Sequence, residues 1–299
     1  MKKIAIYGQS YNLSAAKEVA ILLATLEEQA IEIVFEKKFY LLLFQNNSLQ
    51  KEYPTFSSHS DLDSSFDVLF TIGGDGTILR AVTYIRDSNI PIMGINTGRL
   101  GFLATTQKDQ IAAAVTLLLN KEYTLQERSL VSIKTAPPAP EFSGLNFALN
   151  EVTIARKNTT SMIGIETHLD GEYLTNYWAD GLIVSTPTGS TGYSLSCDGP
   201  VVLPNSKNLI ITPIAPHNLN ARPLVITDDT KIQLAVTGRE KDFLISLDSR
   251  IATMPHHTKI YIEKAPFTIS TVLPLNQSFL KTIRSKLLWG EDTRNETNQ

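Results

Sequence analysis

The chain has 299 residues, 42% of them apolar, with 27 Lys and Arg against 30 Asp and Glu, a formal charge of −3 and a pI near 6.0. A folded chain of this length hides roughly 75% of its extended surface, and this apolar content suffices for that, which argues against global disorder. The balance lacks the basic excess of a nucleic-acid or anionic-membrane binder, so neither partner is expected and any polyanion must meet a local site.

The longest apolar run, Ile111 to Leu119, includes Thr116 and falls far short of the roughly 18 residues of a membrane span. The opening Lys2-Lys3-Ile4-Ala5-Ile6 passes directly into strand-like residues, so no secretory segment is expected. Cys197 is the sole cysteine and has no internal partner, so a reducing, cytoplasmic setting is expected.

Residues 4 to 7 predict a first strand, ending at Gly8. Ser14 then stands as a cap for a helix in which Val19, Leu22, Leu23 and Leu26 recur at three- and four-residue spacing. A second strand is expected over 31–35; residues 39–44 continue apolar without alternation, and 45–65 read as an exposed polar loop. A strand over 67–72 runs into Gly73-Gly74-Asp75-Gly76-Thr77, a helical pattern covers 78–85, and a buried strand covers 91–95. This alternation predicts an α/β, Rossmann-like amino-terminal domain with ligand loops at the carboxyl ends of its parallel strands.

After a helix over 110–119 the pattern changes to short β-rich runs: 130–135, 151–155, 162–169, 182–185, 209–213, 231–236, 243–247 and 259–263. Asp-Gly, Pro and Asn-rich turns separate them, and Pro137-Pro138-Ala139-Pro140 reads as a stiff surface loop. Phe279, Ile283 and Leu287 mark a last helix stopping near Gly290, before a polar tail that is expected to fray. The expected division is therefore 1–120 with 266–299 as the α/β domain and 121–265 as a β-rich domain.

Three polar constellations carry the chemistry. The Gly73–Thr77 turn sits between strand and helix, where free N–H groups and a helix start favour phosphate. Asp75 there is suited to orient a hydroxyl or hold a cation, and equally to cap the helix. Arg80, one turn on, either faces phosphate or is a solvated helix charge. Asn150-Glu151 before a strand offers amide and carboxylate groups to ribose hydroxyls or an adenine edge, or else forms a turn and strand cap. Asp180-Gly181 leads a strand into a loop with five Ser or Thr residues between 185 and 191, a density that suits wrapping a polar ligand. Asp248, in another strand-end turn, Leu247-Asp248-Ser249-Arg250, reads equally as an Asx-turn or a ligand. The five histidines show no zinc spacing, Ser190 is not in a G-x-S-x-G elbow, and the glycine turn is neither a Lys-bearing P-loop nor a G-x-G-x-x-G fingerprint.

Taken together these motifs resemble the NAD kinase family, which phosphorylates the adenosine-ribose 2′-hydroxyl of NAD using ATP or polyphosphate. The resemblance runs from the first βα unit through Gly73–Thr77, Asn96-Thr97-Gly98-Arg99-Leu100-Gly101-Phe102-Leu103, Asn150-Glu151, Asp180-Gly181 and Ser185–Thr191. It continues through Ala221-Arg222-Pro223-Leu224 and 279–290. The short GGDG piece also occurs in lipid and sphingoid kinases, the first alternative; a non-catalytic NAD-binding regulator is the second. An assay of NAD against diacylglycerol or ceramide separates the first, and NAD binding without product marks the second.

The resemblance implies that the final segment returns to the first domain and that Asp75 is the general base for the ribose hydroxyl, with Gly76 close to the nucleotide. It implies an NAD site formed by Asn150, Glu151, Asp180, Thr188, Thr191, Gly192, Tyr193, Ser194, Leu195 and Ser196, with Arg80 and Arg250 as further contacts. It also implies Mg²⁺ or another divalent metal delivered with ATP, no tightly bound organic cofactor, no dedicated protein metal site, and a homodimer or homotetramer. Two positions depart from the family pattern. Trp178 stands where some bacterial members carry a basic residue and is expected to give an apolar wall. Cys197-Asp198 replaces the usual small residues before Gly199-Pro200, and Asp198 is expected in a left-handed turn with its carboxylate away from phosphate.

Overall fold

The computed structural model describes every residue except 12, 28, 99, 159, 160, 276 and 290–299. In chain order the elements are β1 (Lys3–Gly8), α1 (Leu13–Glu27), β2 (Glu32–Glu36), α2 (Lys37–Gln45), β3 (Thr55–Phe56), β4 (Val68–Ile72), α3 (Asp75–Ile85), β5 (Ile92–Asn96), β6 (Thr106–Gln107) and α4 (Ile111–Leu119). There follow β7 (Tyr123–Ala136), β8 (Phe147–Ala148), β9 (Glu151–Arg156), β10 (Ile163–Leu169), β11 (Glu172–Ala179), β12 (Gly181–Ser185), the single turn α5 (Tyr193–Ser196) and β13 (Asn208–Ile214). The chain continues with β14 (Leu224–Thr227), β15 (Ile232–Gly238), β16 (Asp242–Leu247), β17 (Arg250–Pro255), β18 (Lys259–Pro274) and α6 (Phe279–Leu287). It divides into two compact units, Met1–Glu127 with Ile269–Gln299, and Arg128–Thr268.

The first unit holds a parallel sheet in the order β3-β2-β1-β4-β5, with β6 and Thr271 of β18 also paired to β5. Every residue of β4 and β5 is buried, as expected of parallel strands covered on both faces. Ile4 and Ile6 of β1, Phe70 of β4 and Met93 of β5 form one core with Val19, Leu22 and Leu26 of α1, the residues whose spacing predicts that helix. Ser14 lies inside α1, where its hydroxyl donates to Glu18 Oε1 at 2.8 Å instead of capping; residue 12, in front of the helix, is outside the described residues.

Residues 37–45 form a helix, not a continued strand. Glu36 caps it by accepting the Phe39 N–H at 2.8 Å, and Phe39 and Leu43, four apart, are its buried residues. The expected loop over 45–65 contains β3, which brings Phe56 edge-to-face against Tyr84 at 5.7 Å, and Leu62 is also buried. Leu49 and Tyr53 of the same stretch also pack against the core, Tyr53 edge-to-face on Phe35 at 5.1 Å. In α6, Thr282 and Ile283 are buried and the helix ends on Leu288 in the left-handed region at φ 50°. Gly290, the expected stop, and the tail lie outside the described residues.

The second unit is β-rich. A six-stranded antiparallel sheet runs β14-β13-β12-β9-β16-β17; β11-β10-β15-β18 form another antiparallel set, and β7 pairs with β8. Val152, Leu182, Leu209 and Phe243 from the first set and Ile165, Leu234 and Ile260 from the second share one buried core. Strands β11, β14 and β17 are additional to the sequence expectation. They lie at sheet edges, where the apolar pattern that reveals a strand is weakest. Asp170 and Gly171, both at positive φ, make the two-residue turn from β10 to β11.

Candidate functional site

Each unit carries one polar centre at strand ends. In the first unit β4 ends at Ile72, and Gly73 turns away with φ 149° while its N–H donates to Ile95 O at 3.0 Å. Asp75 is the first residue of α3, with Gly74 as the cap, so the carboxylate does not close the helix end. Its Oδ2 accepts the N–H of Phe102 at 2.8 Å, and its Oδ1 those of Leu103 and Ala104 at 3.0 and 2.9 Å. Neither expectation for Asp75 contains this bond set, because the donors lie more than 25 residues away in sequence. A Cβ on Gly101 would stand 1.9 Å from Asp75 Oδ1, so the loop approaches the carboxylate only with glycine at that position.

Asn96 secures the same loop from below, accepting the Gly98 N–H at 2.7 Å and donating to Ala104 O at 3.3 Å. Gln9, from the loop after β1, donates to Gly76 O at 3.0 Å. Gly76 is exposed with open space around its Cα, and Arg80 is exposed on α3. The result is a glycine turn whose helix start faces outward and whose carboxylate is fixed by backbone donors.

In the second unit, sheet register brings the remaining candidates together. Ser185 at the end of β12 pairs with Glu151 at the start of β9, and Leu247 at the end of β16 pairs with Val152. The loop after β12 therefore passes over Asn150-Glu151, with Asp248 on the other side. Gly189 packs on the Asn150 backbone so closely that a Cβ would lie 2.1 Å from Asn150 O. Around Gly192, a Cβ would meet Glu151 Oε2 at 3.0 Å and Asn150 Nδ2 at 3.2 Å.

Asn150 Oδ1 and Glu151 Oε2 are buried there without a hydrogen-bond partner. An unmet buried polar atom costs about 1–3 kcal/mol, so this spot favours a ligand that supplies hydrogen bonds. Burial, and then the neighbouring Asp248 charge, push the Glu151 carboxyl up to about 8, against a smaller opposing effect of the Tyr193 N–H. The carboxyl thus keeps its proton at neutral pH, and the pair presents both an acceptor and a proton, the complement of a hydroxyl.

Several hydroxyls of the loop after β12 are bonded within the protein. Thr186 donates to Leu149 O at 2.6 Å, Ser190 to Pro187 O at 2.7 Å, and Ser194 pairs with Thr212 at 2.8 Å. These hydroxyls are fully buried and build the loop itself. Thr188 is also buried and accepts from Arg128 at 3.2 Å, while Thr191 donates to Thr188 O. Tyr193 and Ser196 are exposed, and Leu195 is half-buried. Asp180 is in an ion pair with Arg156 at 2.9 Å.

Asp248 accepts the N–H groups of Leu149, Asn150 and Glu151 at 3.0, 2.9 and 3.2 Å, which orients the Asn-Glu pair. Burial nevertheless raises its carboxyl above the ordinary range. Arg250 donates to Leu145 O and Phe147 O and lies over the Phe147 ring at 5.5 Å; burial lowers its ordinarily very high pKa. Trp178 is half exposed on β11, its backbone N–H donating to Asn218 Oδ1 at 2.7 Å. Asp198 is exposed and left-handed at φ 63°. Arg128 and Arg156 had no sequence signal, since both lie in β-runs far from the residues they contact.

Among the described residues no cluster of three His, Cys, Asp or Glu side chains is arranged to hold a metal ion. None of their helices is long and apolar enough to cross a membrane.

The ATP-NAD kinase N-terminal domain model matches residues 4–123 and the ATP-NAD kinase C-terminal domain model residues 149–273. The chain belongs to the NAD kinase family. It is 56% identical over 293 residues to the NAD kinase of Flavobacterium psychrophilum, covering 98% of this chain and all of that one. It is 57% identical over 295 residues to the NAD kinase of Christiangramia forsetii, with coverage of 98% and 100%. A crystal structure of an NAD kinase from Archaeoglobus fulgidus in complex with ATP is similar at TM-score 0.73 and 25% identity, over 96% of this chain and 98% of that chain. Yeast NADH kinase complexed with NADH shares the fold at TM-score 0.86 and 21% identity, over 99% and 89% of the two chains.

Proposed function

We propose that the chain is an NAD kinase that transfers the γ-phosphoryl group of ATP, or a phosphoryl group of polyphosphate, to the adenosine-ribose 2′-hydroxyl of NAD, giving NADP. The observation that carries this is the pair of unmet polar atoms, Asn150 Oδ1 and Glu151 Oε2, beside Gly192 in a chain that matches NAD kinases over nearly its whole length. A hydroxyl-bearing ribose is the chemistry that would satisfy both atoms.

In this reading Asn150, Glu151, Asp180, Thr188 and residues 191–196 form the NAD site. The exposed Tyr193 ring offers a base a stacking surface, whereas the buried hydroxyls of Thr188 and Ser194 act by holding the loop's shape. Arg250 fits the same role at one remove, since its guanidinium is bound to the backbone that precedes Asn150.

Asp75 serves as general base: it accepts the 2′-hydroxyl proton as the oxygen attacks the terminal phosphorus in line. The new P–O bond forms as the bond to ADP breaks, with no phosphoenzyme. Gly76 and the start of α3 supply N–H groups to phosphate, and Arg80 a positive charge. Mg²⁺ would arrive with the substrate as MgATP, held by phosphate oxygens and waters, and would offset charge on the transferring phosphoryl group.

A cytoplasmic setting is part of the same proposal, as is a homodimer or homotetramer. The edge strand β11 exposes Tyr173, Leu174 and Trp178, an apolar edge that a second copy would cover.

The test is to incubate the purified protein with NAD, Mg²⁺ and either ATP or polyphosphate and to locate the new phosphate by mass spectrometry and phosphorus NMR. Phosphate on the adenosine-ribose 2′-oxygen is expected. A product modified elsewhere, or no product with either donor, would reject the assignment.

A further inference from the structure

The loop that holds Asp75 is itself held from its far side. Phe102 gives its N–H to Asp75 Oδ2, and its ring lies 6.3 Å from the Phe279 ring and 4.7 Å from Lys286 Nζ. Phe279 and Lys286 are seven residues apart on α6, so they sit within about 20° of each other on one helix face. One residue beyond the clamped amides, Thr105 O accepts from Gln277 Nε2 at 3.3 Å, a second tie to the segment leading into α6.

The loop has little freedom apart from these ties. Its Gly101 N–H closes on Ala104 O at 3.2 Å, and Ala104 packs so tightly over β5 that a Cβ on Gly94 would lie 2.8 Å from its Cα. Ring and amide of Phe102 belong to one residue of this tight turn, so holding the ring restricts where the amide can stand. A carboxylate with both oxygens engaged by backbone donors takes its direction from where those donors stand.

We propose that α6 positions the Asp75 carboxylate through the loop Gly101–Ala104, with Phe279 and Lys286 as positioning residues. This rests on the assignment of Asp75 as the base only for its effect on turnover. The mechanical part stands without it, because the clamp consists of the chain's own hydrogen bonds and ring contacts.

The experiment has two arms on the full chain. In the first, amide hydrogen exchange of residues 102–104 is followed without ligand in wild type, Phe279→Ala, Lys286→Ala and Asp75→Ala. Exchange there should accelerate about tenfold in Phe279→Ala and Asp75→Ala and less in the exposed Lys286→Ala, while β1 and β4 keep their protection. Wild-type exchange at 102–104 in Phe279→Ala and Lys286→Ala overturns the proposal, whatever the protein catalyses.

In the second arm, NADP formation is measured in Phe279→Ala, Phe279→Leu, Asp75→Asn and the double variant Asp75→Asn with Phe279→Ala. The Phe279→Ala change should lower kcat about three- to tenfold with little change in the KM for NAD, and Phe279→Leu should restore most of it. In the Asp75→Asn background the same change should have almost no further effect, because the group it positions is gone. Additive losses overturn the proposal. If Phe279→Ala does not fold, Lys286→Ala carries both arms, with a smaller effect of the same sign.

Discussion

Asp248 and Glu151 are two carboxyl-bearing residues joined through two hydrogen bonds at the Glu151 backbone: Asp248 Oδ1 accepts the Glu151 N–H at 3.2 Å and the Asp248 N–H donates to Glu151 O at 3.1 Å, while burial and then the Asp248 charge raise the Glu151 side chain. The first acid places the second, and its charge adds to the burial that already makes Glu151 hard to ionise. The arrangement is costly in the free protein and suited to a partner that brings its own hydrogen bonds.

The first prediction follows from the sign of that shift. Glu151 rises from an ordinary value of 4.5 to about 8 in the folded chain, so between those pH values the folded state holds a proton that the unfolded state has lost. Its contribution is fully favourable below pH 4.5 and is lost as pH rises through 8, with a slope of at most about 1.4 kcal/mol per pH unit. Glu151→Gln should gain stability relative to wild type as pH increases from 5 to 8 and level off above that. Urea midpoints of the ligand-free proteins across this range check it; parallel pH curves would show that Glu151 ionises normally.

The second prediction concerns Asp75→Asn. The amide keeps one acceptor oxygen for the loop but places an NH₂ group where backbone N–H donors already converge, and it cannot take a proton. Turnover should fall by about 10² to 10⁴, with a smaller change in NAD affinity. Unchanged kcat in a folded variant would reduce Asp75 to a loop anchor.

Much of this was legible in the sequence, and the limits have physical causes. The Rossmann-like order of the first unit follows from buried runs such as Val68–Ile72 feeding glycine turns, a local pattern. The grip of Asp75 on 102–104 and of Asp248 on 149–151 is not local: carboxylate and donors meet only after the sheets form, and one sequence does not show which amides will be near. The loop after β12 shows the converse. Its Ser and Thr density was plain, but hydroxyls can serve the loop as readily as a ligand, and the burial of Thr186, Ser190 and Ser194 decides for the loop. Helix α2 was missed for a simpler reason: Phe39 and Leu43 mark a four-residue period, but the aromatic and leucine-rich run between them obscures it.

The third prediction separates recognition from chemistry. Asn150→Ala and Glu151→Ala should chiefly weaken NAD binding, by about 0.5–1.5 kcal/mol for one neutral hydrogen bond and more if the ligand's group is left dry. Arg250→Ala should behave otherwise, lowering the unfolding midpoint because two backbone carbonyls and the Phe147 face lose their partner. Calorimetry and thermal melts on the three variants distinguish the two classes. Wild-type NAD affinity in both Asn150→Ala and Glu151→Ala would defeat the assignment.

The last prediction concerns Asp198, whose φ of 63° is a conformation that glycine adopts freely and Asp tolerates better than most residues. Its N–H reaches Leu195 O at 3.3 Å and its side chain is exposed, so the charge is in solvent, and the neighbouring Cys197 thiol is raised first by burial and then by that charge. A solvated carboxylate has little reach at physiological salt, where the Debye length is about 8 Å. Asp198→Gly should therefore leave NAD and ATP affinities within about threefold, or about 0.65 kcal/mol, while relief of the left-handed backbone adds up to about 1 kcal/mol of stability. Asp198→Ala, which keeps a Cβ but loses the polar group that favours this conformation, should lose stability. Urea unfolding measures the two stability changes, and nucleotide titrations at low and high salt measure the charge. A gain in ATP affinity well beyond threefold in Asp198→Gly that fades at high salt would place the carboxylate against the phosphates.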